Sequence, residues 1–209
     1  KDVLCEKPLT LKSSESDQLI EIAQRAKRIL MVGHVFLFNA GIRKLKEYLD
    51  RHALGTLHYV YSSRLNLGPV RQDVDVIWDL ASHDVSIINY MLQAEPEEVS
   101  ANSGFFLQRP ISDVAFVTLR YPKNILVNIH VSWIDPVKVR QITVVGSSKM
   151  IVWNDLNPVE PIRIYDKGIV HEPRYSNFGE FHYLTREGDI QIPRIDLVEP
   201  LRAQKLGYL

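Results

Sequence analysis

Three ionisable side chains, Lys7, Asp79 and His83, stand in motifs whose residue types suit proton and hydride chemistry. Lys7 lies within Glu6-Lys7-Pro8, and Asp79 and His83 are four residues apart. Residues at this spacing share one face of a helix, so the Asp79 carboxylate is expected to orient or polarise the His83 imidazole. Such an imidazole can accept a hydroxyl proton while a hydride leaves the same carbon. The spacing leaves an alternative open, in which Asp79 only caps the helix.

Pro8 restricts the backbone around Lys7. A proline ring disfavours the helical conformation of the residue before it, so Lys7 is predicted to be extended at the end of a strand. Ligands of open parallel sheets bind at the carboxyl ends of the strands. We therefore expect Lys7 to face a ligand cleft, with a solvated surface lysine as the alternative.

The spacing of glycines and metal-ligating residues excludes two kinds of site. The closest glycines, Gly33 and Gly41, are eight residues apart. Neither a dinucleotide-binding G-x-G-x-x-G nor a P-loop is therefore present, and the chain supplies no phosphate cradle of its own. The seven histidines are dispersed and there is a single cysteine, so no metal site is predicted.

The composition is that of a globular protein. Of the 209 residues, 45% are hydrophobic, which is enough for a sizeable core. The 25 basic and 25 acidic residues balance, so a nucleic-acid partner is not expected. No apolar run approaches the roughly 20 residues that span a bilayer, and the first residues lack the features of a secretory signal. These features indicate a cytoplasmic protein that binds neither nucleic acid nor a membrane.

Residues 1–35 have the pattern of a strand, a helix and a second strand. Apolar runs at 1–5 and 29–33 flank a segment with four apolar residues at helical spacing, Leu19, Ile22, Ala23 and Ala26. Such a unit forms a parallel, right-handed crossover. Because it cannot cover its own faces, it is expected to belong to a larger doubly wound sheet.

From residue 36 onward, short strands dominate. Asn39 can cap a helix that ends near Gly55, and a second helix is expected from about Asp79 to Gln93. A third helix is predicted to begin near 198–204. Both ends of the chain are expected to be truncated. Strands are predicted at 57–65, 99–106, 112–121, 124–134, 139–145, 150–154 and 162–166, with turns at 121–124, 146–149 and 166–168.

The segment 125–133 alternates between apolar and polar residues. This alternation indicates an antiparallel sheet with one buried face and one wetter face, the latter carrying Asn128, His130 and Ser132. The predicted fold class is therefore α+β, an open-faced, mainly antiparallel sheet with helices, preceded by a β-α-β remnant of a parallel sheet.

Four residues near the helix entrances and the loop between them are candidates for a substrate cleft: Asn39, Arg43, Arg64 and Arg71. Arginine suits a carboxylate or a diphosphate, which would fit a sugar acid or a nucleotide sugar. For each arginine, an ordinary surface position is the alternative.

The motifs taken in order resemble the glucose-fructose oxidoreductase / inositol 2-dehydrogenase / rhizopine-catabolism family (Gfo/Idh/MocA). The resemblance rests on Val3-Leu-Cys-Glu-Lys-Pro-Leu9, Gly33-His34-Val-Phe36 and Asp79-x-x-x-His83. It implies an N-terminal Rossmann domain that binds NAD(P), and a C-terminal domain whose open antiparallel sheet shapes the substrate site and the oligomer interface. Residues 1–35 would be a remnant of the Rossmann domain. Residues 36–209 would be the substrate-binding and oligomerisation domain, truncated before its C-terminal helix.

The same resemblance implies roles for individual residues. Lys7 would lie close to nicotinamide and substrate, with Glu6 and Pro8 at the cofactor cleft. Asp79 would assist Lys7, and His83 would be the base. The chain departs from the family pattern Gly-x-His-x-x-Asp at Ala81 and Ser86, so a substrate or packing contact made by the family's last aspartate is not expected to be conserved in this form here.

The implied function is that of the substrate-binding part of an NAD(P)-dependent oxidoreductase. It would transfer a hydride between nicotinamide and a hydroxyl of a sugar, cyclitol or nucleotide sugar. The alternatives are a glycoside hydrolase of the same build that uses NAD transiently, and a non-catalytic dimerisation or ligand-binding module. The fragment alone is expected to be inactive and to form a homo-oligomer through its antiparallel sheet. The residue that selects NAD or NADP is expected outside this chain.

Overall fold

Two sheets of unequal size organise the protein. The computed structural model describes residues 1–171, 183–196 and 199–208. Two parallel strands form the smaller sheet, and eight strands form the larger one. This is the predicted α+β arrangement, with a β-α-β unit ahead of a mainly antiparallel sheet. No helix in the described part of the chain is long and apolar enough to cross a membrane.

The β-α-β unit consists of three elements, β1 (Val3–Glu6), α1 (Ser13–Arg25) and β2 (Leu30–Gly33). β1 and β2 are parallel, and Glu6 at the end of β1 lies opposite Gly33. α1 buries none of its residues, and its apolar Leu19 and Ile22 are 39% and 55% exposed. The apolar face of this helix is thus left open, as expected for a unit that cannot cover its own faces.

The larger sheet contains β3 (Leu57–Leu67), β4 (Glu98–Gly104), β5 (Val114–Tyr121), β6 (Ile125–Ser132), β7 (Ile134–Gly146), β8 (Met150–Asn154), β9 (Ile162–His171) and β10 (Tyr183–Gln191). Their order across the sheet is β10-β9-β8-β7-β3-β6-β5-β4. Among these described strands, only β3 and β6 pair in parallel. The prediction of a mainly antiparallel sheet is therefore confirmed.

The turn predicted at 166–168 is wrong, because these residues lie inside β9. β10, which the sequence pattern did not predict, pairs alongside β9 and places Arg186 opposite Gly168. The register then shifts between Glu187 and Ile190. An irregularity in the partner strand thus accommodates residues that would otherwise favour a turn.

Two helices, α2 (Ala40–Asp50) and α3 (Ser82–Leu92), share one hydrophobic core with the larger sheet. Asn39 caps α2 as predicted, and its Oδ1 accepts hydrogen bonds from the backbone N–H groups of Gly41 and Ile42 at 2.8 and 3.3 Å. The helices contribute Ile42, Leu45, Ile87, Ile88 and Met91 to this core.

β6 shows the predicted alternation. Four of its apolar residues, Ile125, Val127, Ile129 and Val131, are at most 9% exposed, whereas Leu126 and Asn128 are exposed. Ser132, expected on the wetter face, is only 3% exposed. It stands at the end of the strand, where its Oγ accepts a hydrogen bond from the backbone N–H of Ile134 at 3.1 Å.

The side of β3, β5 and β6 that points away from the hydrophobic core forms what we call the open face. Strand register places Tyr59 opposite Leu126, Tyr61 opposite Asn128, and Phe116 opposite His130. Directly paired residues point to the same side of a sheet, so these six side chains share this face. Tyr59, Tyr61 and Phe116 are 43%, 40% and 47% exposed.

The helix predicted near residues 198–204 is present as α4 (Pro200–Tyr208). It packs against a short 3-10 helix, Val35–Phe38, that links β2 to α2. Phe36 of this segment packs against the hydrophobic core of the larger sheet. The 3-10 helix thus fixes the connection between the two sheets.

Candidate active site

Lys7 follows β1 and reaches a π-helical turn, Ile77–Ala81, that precedes α3. Its ammonium donates hydrogen bonds to the backbone carbonyl oxygen of Asp79 and, at 3.4 Å, to the Asp79 carboxylate. The side chain is 12% exposed. Burial lowers the pKa of Lys7, and the nearby Asp79 carboxylate opposes that shift. Lys7 is therefore a fixed amine that releases its proton more easily than a surface lysine.

The Asp79 carboxylate accepts hydrogen bonds from three different parts of the chain. Oδ1 accepts hydrogen bonds from the Lys7 ammonium and the Arg71 guanidinium, each at 3.4 Å. Oδ2 accepts one from the indole N–H of Trp133 at 3.0 Å. Trp133 is otherwise buried, as expected for a core tryptophan. These donors hold the carboxylate beside the Lys7 ammonium, which makes Asp79 a positioning group for Lys7.

The expected pairing of Asp79 with His83 is not observed, since no hydrogen bond joins the two side chains within the described residues. The segment from Ile77 to Ala81 is a π-helix, in which backbone hydrogen bonds span five residues. The wider turn removes the alignment that four-residue spacing gives in an α-helix. Asp79 is not the cap either, because Asp75 accepts the hydrogen bond from the backbone N–H of Trp78 at 2.9 Å.

His83 lies against Phe36, with ring centroids 5.0 Å apart in an edge-to-face arrangement. Burial lowers the pKa of His83 to about 2, and the positive charges of Arg64 and Lys7 add to the shift. The imidazole is therefore neutral at physiological pH. Its Nδ1 is buried without a hydrogen-bond partner in the described part of the chain, so the ring retains a free polar atom.

A buried ion pair lies next to His83. The Arg64 guanidinium donates to both carboxylate oxygens of Asp84, at 2.7 and 3.3 Å, and Ser62 donates its hydroxyl hydrogen to the same carboxylate at 2.6 Å. Arg64 and Asp84 are 4% and 1% exposed. The guanidinium also stacks on Phe36, 4.5 Å from the ring centroid. Arg64 thus lies at the site, but two of its nitrogen atoms are committed to Asp84.

The sequence reasoning missed Asp84 and Trp133 as site residues. Asp84 occupies one stripe of α3 with three apolar residues, Ile87, Ile88 and Met91, all buried. A carboxylate at an apolar position of an amphipathic helix was the available signal, because such a group must find a buried cation. No local pattern indicates that Trp133 reaches Asp79, since the contact joins distant segments.

The carboxyl ends of β1 and β2 border a cavity of about 350 Å³, lined in part by Lys7, Pro8, His34, Trp78 and Ser82. Burial, together with the charge of Lys7, lowers the pKa of His34. Its Nδ1 is buried and lacks a partner among the described residues. Glu6 lies beside Gly33, where an added Cβ would come within 3.1 Å of the carboxylate. Of the three predicted cofactor residues, Lys7 and Pro8 thus line this cavity, and Glu6 does not.

The four predicted cleft residues divide into two groups. Arg64 and Arg71 lie at the site, and Arg71 also donates to Asp73 at 2.9 Å. Asn39 is 8% exposed and its side chain is used to cap α2 and to donate to Asp155 at 3.1 Å. Arg43 is exposed, stacks on Phe38, and is absent from the linings of the Lys7 and His83 cavities.

Two family models match this chain. One, described as the GFO/IDH/MocA C-terminal domain, covers residues 42–152, which is just over half of the chain. The other, described as the oxidoreductase family, NAD-binding Rossmann fold, covers residues 1–34. The two matches fall on either side of the 3-10 helix.

Individual relatives agree with the family models. The chain is 29% identical over 136 residues to myo-inositol 2-dehydrogenase from Thermotoga maritima, a match covering 60% of this chain and 41% of that protein. It is 36% identical over 99 residues to UDP-N-acetylglucosamine 3-dehydrogenase from Acidithiobacillus ferrooxidans, covering 47% and 30%. These matches span less than half the length of the curated relatives.

A solved structure shows the same fold over the whole chain. It is a protein designated an oxidoreductase from Magnetospirillum magnetotacticum, with a TM-score of 0.79 and 23% sequence identity. The match covers 100% of this chain and 63% of that protein. The β-α-β unit and the larger sheet are thus arranged as in a known structure.

Proposed function

The chain belongs to the Gfo/Idh/MocA oxidoreductase family, and from that premise we propose that the complete protein is an NAD(P)-dependent dehydrogenase. Its substrate would be a hydroxyl group of a sugar, cyclitol or nucleotide sugar. The observation that carries the proposal is the Lys7 ammonium, whose side chain is 12% exposed and which Asp79 holds at the end of β1, within the segment that matches NAD-binding Rossmann proteins. Ligands of parallel sheets bind at this end of the strands.

The residues at this edge fit the nicotinamide end of a dinucleotide. The cavity of about 350 Å³ and the unpartnered Nδ1 of His34 leave room and a free polar atom for a planar amide-bearing ring. The glycine spacing provides no cradle for the phosphates within this chain. When bound, nicotinamide supplies the acceptor for the hydride that leaves the substrate carbon. Whether NAD or NADP fills this role depends on residues other than these.

We assign proton transfer to Lys7, which revises the expectation that His83 is the base. A general base works best when its pKa lies near the working pH. The pKa of His83 is lowered to about 2, which is too low, whereas burial moves the pKa of Lys7 toward neutrality. During oxidation the Lys7 amine accepts the hydroxyl proton, and in reduction the ammonium returns it. The neutral His83 imidazole then serves to hydrogen-bond the substrate, and Asp79 positions Lys7.

This proposal predicts net reduction of the cofactor by the full-length protein. Incubation with NAD or NADP and either myo-inositol or UDP-N-acetylglucosamine should produce reduced nicotinamide in step with substrate consumption, measured by absorbance. The matched control is Lys7→Met, which should produce almost none. Cleavage of a glycoside without accumulation of reduced cofactor would instead support the hydrolase alternative, and cofactor-independent ligand binding alone would support a non-catalytic module.

We also propose that two copies of the protein associate through the open face. Four large apolar or aromatic residues lie there with at least 40% of their surface exposed: Tyr59, Tyr61, Phe116 and Leu126. Phe116 stacks on His130, with centroids 4.3 Å apart, so these two rings lie nearly parallel on the open face. Contiguous exposed apolar surface of this kind is typical of an interaction site.

A charge placed in the open face is expected to separate the copies. Phe116→Glu should raise the dissociation constant of the dimer about 30-fold or more, because a carboxylate would be buried without a partner in the interface. Sedimentation velocity over a concentration series measures the change. Val99→Glu is the matched control, since Val99 is 66% exposed and pairs with the buried Leu119 on the other side of the sheet. A strictly monomeric parent protein at micromolar concentration would contradict the proposal.

A further inference from the structure

The cavity beside His83 has an unusual charge. It has a volume of about 100 Å³, and its lining includes Arg64, Lys138, Arg140 and Asn66 as well as His83. Phe36, Leu65 and Leu80 complete the wall, so no carboxylate lines the cavity. Three cations thus converge on a small space without an acidic residue facing it.

The cations of this cavity are not all neutralised. Arg64 is paired with Asp84, and one nitrogen atom of Arg140 lies 3.2 Å from the Asp155 carboxylate. For Lys138, no ion-pair partner is found among the described residues. The positive charges of Arg64 and Arg140 both contribute, after burial, to the low pKa of His83, which reports a positive potential at the imidazole.

The strand register adds a second observation. Arg64 on β3 lies directly opposite Arg140 on β7. Like charges in this position repel each other, and the carboxylates of Asp84 and Asp155 serve as their counter-charges. Phe36 lies against both guanidinium groups, with centroid distances of 4.5 and 5.8 Å. The ring thus contacts both arginines, and all three residues line the cavity.

We propose that this cavity binds an anionic substituent of the substrate, a carboxylate or a single phosphate, with Lys138 and Arg140 as its ligands. The volume equals about three times the roughly 30 Å³ that a water molecule occupies, which suits a group of this size. Arginine and lysine are the side chains best suited to such oxygens. This inference deepens the proposed function, because it rests on His83 lying beside the reacting carbon. It predicts that acidic or phosphorylated sugars bind better than neutral ones.

Calorimetric titration of the full-length protein tests the proposal without requiring turnover. The probes are D-glucuronate, D-glucose 6-phosphate and D-glucose, which share a ring and differ in charge. At least one anionic probe should bind about 10-fold or more tightly than glucose, and high salt should reduce this preference. The tighter of the two anionic probes identifies the carboxylate or the phosphate as the preferred group.

Two variants localise the effect. Lys138→Met should weaken binding of the preferred anionic probe about 3-fold to 10-fold and leave glucose unchanged, because Lys138 is exposed at the cavity edge. Arg140→Lys keeps the charge beside Asp155 but loses the planar fork, so it should also weaken the anionic probe. Lys167→Met is the matched control, since the Lys167 side chain on β9 is 40% exposed and pairs only weakly with Glu187 at 3.4 Å. It should change none of the affinities.

Equal affinity for charged and neutral probes, no binding of either anionic probe, or an unchanged anionic preference in Lys138→Met would overturn the inference. Its failure is distinct from failure of the proposed function. A protein that reduces the cofactor with neutral sugars and shows no anionic preference retains the function and loses the anion site. A protein that prefers the anionic probes through Lys138 but never reduces the cofactor retains the site and loses the dehydrogenase function.

Discussion

Replacing Lys7 by methionine is expected to lower the kcat of the full-length protein by the ~10²–10⁴-fold typical of a lost general base. Methionine keeps the length of the side chain but can neither accept the hydroxyl proton nor stabilise the alkoxide that develops as hydride leaves. Cofactor affinity should change little, because the chain has no phosphate cradle near Lys7. Steady-state kinetics and cofactor titration of the same variant separate these two effects.

The pH dependence identifies which residue carries the proton. Oxidation requires the amine form of Lys7, so kcat/KM should rise with pH and level off above the pKa of Lys7, which burial places below its ordinary value. Lys7→Arg should remove this rise, because arginine does not lose its proton in this range. His83→Gln, the control, should leave the rise in place and lower the rate less. Loss of the rise in His83→Gln but not in Lys7→Arg would show that His83 is the base.

Replacing Asp84 by asparagine is expected to destabilise the protein by about 3–5 kcal/mol. Asparagine keeps the shape of the side chain but leaves the Arg64 guanidinium, which is 4% exposed, without a counter-charge. The Ser62 hydroxyl also loses its strong acceptor at 2.6 Å. Urea denaturation measures the free energy of unfolding directly.

A surface ion pair gives the matched control for Asp84. Glu187→Gln removes the carboxylate that lies 3.4 Å from Lys167, where the side chains are 74% and 40% exposed, and should change the free energy of unfolding by less than about 1 kcal/mol. Combining Asp84→Leu with Arg64→Met should recover part of the loss, because a buried ion pair can be replaced by apolar groups. If Asp84→Asn costs no more than Glu187→Gln, the buried pair contributes little to stability.

The order of helices and strands could be predicted because it depends on local patterns. The apolar spacing of α1, the Asn39 cap of α2 and the alternation along β6 all lie within short segments. Features that depend on a neighbouring strand could not be predicted in this way. β9 continues through residues 166–168, where β10 pairs beside it, and no pattern within 166–168 indicates that partner.

In the candidate active site, too, some features follow from local sequence and others depend on distant segments. The sequence by itself determined which chemical groups are present, an amine at Lys7, a carboxylate at Asp79 and an imidazole at His83, and it predicted a strand end for Lys7. It also indicated the family, through short motifs that persist in order along the chain. It could not determine the partners of these groups, since Asp79 is bound by Lys7 and Trp133, which lie 72 and 54 residues away along the chain.

Only the tertiary structure decided the surroundings of these groups, and the proposal that Lys7 carries the proton rests on them. Spacing favoured His83 with Asp79 behind it, but the π-helical turn separates the two, and burial among positive charges lowers the pKa of His83 to about 2. A pKa depends on desolvation and on charges from every segment packed nearby, and neither quantity is encoded in a local motif. Residue types and element order are local properties of the chain, whereas the protonation states of Lys7 and His83 arise from packing between distant segments.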